Sequence, residues 1–179
     1  MSASASSNQR TCEDFIECLS QFVGAGSTWE VEKNKQKSGS DVVVKIRPRS
    51  QEAAPIDARL ELDFGVYLLF GVAAQFEIPF SKTYYTGSDW LTELDVLCRA
   101  VASGHFEERV IYVEEKAVYS KHQLVLGSGK TIRESWGIRP ILPWRKTRTV
   151  EHHYAAYSSH PDAASNGSSP SKSSLPPAV

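Results

Sequence analysis

The stretch Arg59-Leu60-Glu61-Leu62-Asp63-Phe64 alternates charged and apolar side chains. A period of two sets Leu60, Leu62 and Phe64 on one face of an extended chain and Arg59, Glu61 and Asp63 on the other, which predicts a β-strand with one buried and one solvated side. Immediately downstream, Val66 to Ala74 is apolar on both faces and contains Gly71. That pattern predicts a fully buried central strand with a bend or bulge at the glycine. Phe76, Ile78 and Phe80 then restore the alternation.

Working outward, the upstream sequence has the same period. Trp29 and Val31 alternate with Glu30 and Glu32, and Val42, Val44 and Ile46 with Val43, Lys45 and Arg47. Residues 37–40, Lys-Ser-Gly-Ser, form the turn of an expected hairpin, and Pro48 ends its second strand by withholding a ladder donor. Trp29 is expected to face the core. On the downstream side Val110–Val113, Ala117–Leu126 and Thr131–Trp136 read as a meander, joined by turns at Glu114–Lys116 and Gly127–Gly129. A short helix or strand is expected through Val150 and Tyr154.

Two segments switch to helical spacing. Phe15, Ile16, Leu19, Phe22 and Val23 share one face of a helix from about residue 12 to 23, with Thr11 as its cap and Gly24 as its stop. Trp90, Leu94, Leu97, Cys98 and Val101 share a face from about residue 89 to 103, capped by Ser88 and stopped by Gly104. Runs of strands without alternating helices predict an α+β fold. The expected form is a mostly antiparallel, twisted sheet of about six to eight strands with both amphipathic helices packed on one face. A strongly bent, half-open barrel is the alternative.

Of 179 residues, 41% are hydrophobic and 23% charged, so one globular domain with a sizeable core is expected. Its limits are read as 11–157, preceded by a flexible stretch at 1–10. From residue 158 to 179 Ser, Pro, Asn, Gly and Ala dominate, too polar to offset the entropy of ordering, so this tail is expected to be disordered. Cys12, Cys18 and Cys98 are odd in number and lack CxxC spacing, which fits a reducing compartment, and the cytoplasm is the expected location. No apolar run approaches the length of a membrane span.

Catalytic patterns fail when tested against their chemistry. Gly127-Ser128-Gly129-Lys130-Thr131 resembles the end of a phosphate loop, but Leu124 stands where the first glycine is needed and a strand pattern follows instead of a helix. His152 and His153 are adjacent, so on regular structure their rings diverge, and no metal or cofactor site is expected. The carboxylate pairs Glu61/Asp63, Glu107/Glu108 and Glu114/Glu115 show no sign of the burial that would raise a pKa for acid–base work.

Charge is distributed unevenly although its net value is −1. Residues 33–49 hold Lys33, Lys35, Lys37, Lys45, Arg47 and Arg49 against Asp41 alone. Residues 130–148 hold Lys130, Arg133, Arg139, Arg145, Lys146 and Arg148 against Glu134 alone, with Trp136 and Trp144 among them. These side chains are the candidate interaction surface. Segregated charge without catalytic motifs favours a non-catalytic cytoplasmic domain that recognises another protein, as an inhibitor or neutraliser. The alternatives are a nucleic-acid binder using 33–49 and 130–148, and a small enzyme whose site is not visible from spacing.

Overall fold

The computed structural model describes residues 3–24, 26–36, 39–82, 85–138 and 146–157, with the backbone alone for 3–6, 34–36 and 39–41. The polar segment 158–179, expected to be disordered, lies outside the described residues. Helix α1 (Ala3–Ser20) is followed by strands β1 (Ser27–Gln36), β2 (Gly39–Pro48), β3 (Ile56–Glu61), β4 (Gly65–Phe70) and β5 (Ala74–Pro79). Helix α2 (Trp90–Ala102) then precedes β6 (Phe106–Val113), β7 (Lys116–Val125), β8 (Thr131–Gly137) and β9 (Thr147–His153). The fold is α+β with antiparallel strands and two helices. Among the described residues the strands number nine, and they form two sheets where one of about six to eight was expected.

The first sheet has the order β1-β2-β3-β4-β5, an uninterrupted antiparallel meander. Its registers align the buried residues in rows: Val42, Leu60, Val66 and Ile78; Val44, Ala58, Leu68 and Phe76; Ile46, Ile56, Phe70 and Ala74. Each row is apolar throughout, so this inner face is dry. The opposite face carries the ion pairs Arg59–Glu61, at 3.1 Å, and Arg47–Asp57.

Two glycines explain where the alternation was misread. The strand expected to run to Phe64 ends at Glu61, and Phe64 is 64% exposed in a tight turn. The chain reverses at Gly65, where a Cβ would lie 2.3 Å from the Ile78 carbonyl oxygen, so only glycine fits. The apolar run from Val66 to Ala74 is most of β4, a turn that folds back at Gly71 with φ of +59°, and the first residue of β5.

Helix α2 is capped by Asp89, one residue beyond the expected Ser88, whose carboxylate accepts from the Leu91 and Thr92 amides at 3.0 and 3.1 Å. Helix α1 begins at Ala3, within the stretch read as flexible. Thr11 is not a cap: its hydroxyl donates to the Ser7 carbonyl at 3.1 Å, inside the helix. Phe15 and Leu19 of α1 and Leu94, Leu97 and Val101 of α2 enter the same core. Helix α1 meets β2 and α2, while α2 meets β4 and β5 of one sheet and β7 of the other. None of the described helices is long and apolar enough to cross a membrane.

The second sheet has the order β8-β7-β6-β9, so the segment through Val150 is a strand that pairs with β6 rather than with the preceding β8. It meets the first sheet along β5. Phe106 lies edge-on to Phe70 at 6.0 Å, and Phe76 contacts the His122 ring at 4.9 Å. After β9 the chain returns to the loop before β3, where the Ala155 amide donates to the Glu52 carbonyl at 2.8 Å and the Tyr157 hydroxyl to the Ala54 carbonyl at 2.7 Å.

Candidate interaction surface

The candidate cations are divided between the two sheets. Lys33 is exposed on β1, the outer strand of the first sheet, and Lys45, Arg47 and Arg49 lie on or just after β2. Lys35 is described by its backbone alone, and Lys37 lies outside the described residues. Lys45 bonds Glu32 at 2.6 Å, which raises its pKa, and Arg47 pairs with Asp57. These two charges are therefore neutralised within the sheet.

In the second stretch, Lys130 sits at the β7–β8 turn with Nζ donating to the Tyr85 carbonyl, and Arg133 donates to Gln123 at 2.8 Å. Trp136 is 37% exposed on β8. Arg139, Trp144 and Arg145 lie outside the described residues. Lys146 is exposed ahead of β9, and on β9 Arg148 covers the Tyr112 ring at 4.9 Å. Since β8 and β9 are opposite edges of one sheet, about 14 Å separates their backbones. From β1 to β5, where the first sheet meets the second, is roughly 19 Å. The described members of the two basic stretches thus lie on two different sheets, spread over β1, β2, the β7–β8 turn, β8 and the β9 segment.

Titratable groups do converge in the interior, where the sequence reading placed none. The registers of β9, β6, β7 and β8 align His152, Glu108, His122 and Glu134 in one row. Glu108, 2% exposed, accepts hydrogen bonds from the Val72 and Ala73 amides at 2.9 and 2.8 Å, from the Ser120 hydroxyl at 2.8 Å and from the Tyr154 hydroxyl at 3.2 Å. The β4–β5 turn is thereby fastened to the second sheet by one carboxylate. His122 lies between Phe76 and Phe106 and makes no hydrogen bond through either ring nitrogen. Burial lowers its pKa to about 4, so the ring is neutral at pH 7. Burial also raises the pKa of Glu134, which is hydrogen-bonded to Tyr85. The strand period contained the signal: Glu108 falls between buried Phe106 and Val110, and His122 between buried Ser120 and Leu124.

Through Glu108 and His122 this row docks the second sheet on the first. Glu108 already holds four donors, and among the described residues no three His, Cys, Asp or Glu side chains are grouped to hold a metal ion. A hollow of 260 Å³ is lined by Glu108, His122 and His152 of this row with Arg109, Lys121 and Arg133, and two larger clefts lie nearby. One of 480 Å³ is bordered by Thr86, Arg99, Ala100, His105, Leu126 and Lys130, and one of 540 Å³ lies between β5 and β8 beside Glu77 and Trp136. Arg99 is already engaged by Asp95 at 2.7 Å and by Gln21 at 3.1 Å.

The least satisfied region is the edge of β1. By register Trp29, Val31 and Lys33 stand beside buried Ile46, Val44 and Val42, hence on the core side of the sheet. Yet Trp29 is 38% and Val31 36% exposed, which corrects the expectation of a core tryptophan. The reason is topological: β1 is outermost, and α1 lies against β2. Trp90, also expected in the core, is half-buried against Phe80 at 5.2 Å. Among the described residues β1 pairs with β2 alone along its ten-residue length, leaving one edge of backbone donors and acceptors unpaired. No protein-family model, no curated protein and no solved structure matches the chain.

Proposed function

We propose that the protein is a non-catalytic cytoplasmic binding domain that recognises another protein, as an inhibitor or neutraliser, through the outer edge of β1. The observation that supports this reading is the exposure of Trp29 and Val31 on the core side of an unpaired edge strand, in a sheet whose inner-face rows are closed from β2 to β5. Long exposed edges carrying apolar side chains promote aggregation unless a partner covers them. Covering the open parts of these two side chains is worth on the order of 3–4 kcal/mol gross. Backbone pairing along the strand adds affinity and register.

The other readings have less support. A nucleic-acid groove requires free cations meeting on one surface, whereas Lys45 and Arg47 have carboxylate partners and the described cations are dispersed. An enzyme would draw on Glu134, half-buried with a raised pKa beside the cleft between β5 and β8, whereas Glu108 and His122 are each 2% exposed and engaged in hydrogen bonds or packing.

A photo-crosslinking amino acid at Val31 in the full-length chain tests the reading. In extract of the source cells, a discrete adduct to one protein is expected from position 31 and none from Lys116, an exposed site on the second sheet. The absence of an adduct at 31, or equal adducts at both sites, would contradict it.

A further inference from the structure

Resting on that reading, we infer that the segment received by β1 is an extended strand of a different protein, alternating basic with apolar side chains. The charge and polarity of the two faces of β1 specify this chemistry. On the outer face, Glu30 and Glu32 of β1 and Asp57 of β3 stand against Lys45 and Arg47 of β2. Lys45, directly opposite Glu30, reaches Glu32, and Arg47 reaches Asp57, so the described outer face of β1 carries the carboxylates of Glu30 and Glu32 against the one facing ammonium of Lys45. On the core side the same edge offers Trp29 and Val31, followed by the exposed Lys33. A strand added here places alternate side chains beside Glu30 and Glu32, where lysine or arginine is complementary, and the intervening ones beside Trp29 and Val31, where apolar groups complete the dry face.

A second copy of this chain is disfavoured in the registers that overlap β1 most fully around its two glutamates. Antiparallel pairing about a two-fold axis preserves each face, so registers centred on Glu30, Val31 or Glu32 oppose carboxylate to carboxylate. The carboxylates that repel each other in those registers attract a cationic strand instead.

The test uses the full-length protein and two short blocked peptides, one alternating lysine with valine and the other glutamate with valine. Titration followed by amide chemical shifts is expected to show the lysine peptide binding about tenfold tighter, with perturbations centred on residues 28–33. The double variant Glu30→Lys with Glu32→Lys is expected to reverse the order, and Glu30→Gln with Glu32→Gln to level it while leaving the fold intact. Equal binding of the two peptides, absence of binding, perturbations away from β1, or dimerisation of the protein through β1 would each overturn the inference. If the crosslink at position 31 still forms in any of these cases, protein recognition stands and only the partner's chemistry is wrong.

Discussion

The two halves of the molecule repeat the order of helix then antiparallel sheet, but their inner faces are built differently. Every inner row that crosses β2 to β5 is apolar, from Val42 through to Ala74. In the second sheet an apolar row of Phe106, Leu124 and Ile132 lies beside the polar row of His152, Glu108, His122 and Glu134. Burial of area alone holds the first half to its helices and places no demand on direction. The second half adds hydrogen bonds from Glu108 to the β4–β5 turn, which fix where one sheet sits on the other.

The contrast can be broken most severely where the halves touch. Phe76 meets Phe70 at 5.2 Å, Tyr85 at 5.8 Å and His122 at 4.9 Å, so Phe76→Ala should cost about 3–5 kcal/mol in urea unfolding. Glu108→Ala leaves two amides and the Ser120 hydroxyl without their acceptor and should cost about 3 kcal/mol. It should also speed hydrogen exchange at Val72 and Ala73 more than at the first-sheet core, an effect Phe76→Ala will not reproduce selectively.

A pH series sharpens the comparison. His122 has a folded pKa of about 4, below its unfolded value near 6.5, so the unfolded chain takes up the proton first. Stability is therefore intact above about pH 6.5 and falls as the pH drops toward 4, by roughly 2–3 kcal/mol at pH 4.5. His122→Leu should remove that part of the slope, read as the difference between the two proteins' urea midpoints. The smallest effect is expected at Gly71, where φ is +59° and a Cβ would lie 2.5 Å from the Tyr154 hydroxyl and 2.7 Å from Glu108 Oε2. Gly71→Ala should cost about 2 kcal/mol and perturb the Glu108 amides' signals without altering the first-sheet core.

Much of this architecture was legible in the sequence because its periods are local. The β1–β2 hairpin, α2 and the β6–β8 meander follow directly from alternation, helical spacing and turn residues. What was hidden depends on pairing between distant segments. Reading Val66 to Ala74 as one strand ignored that Gly71 permits a reversal, which the core then enforces by closing β5 on β4. The return of β9 to β6 has no local signature, and it brings Tyr154 to Glu108. Glu108 and His122 were visible by parity but were discounted as polar. Trp29 shows the converse: its side of the strand was read correctly, but strand order, which decides whether anything covers that side, is not local.

The account depends most on the outer edge of β1 being open in the free protein and closed by a strand of complementary charge. Residue-resolved amide hydrogen exchange across Ser27–Lys33, with and without the lysine–valine peptide, measures this directly. The expected result is alternation in the free protein, with amides paired to β2 slow and the intervening ones fast, and uniform slowing along the strand on saturation. Amides that are all slow before peptide is added, or intervening amides that stay fast at saturation, would contradict it.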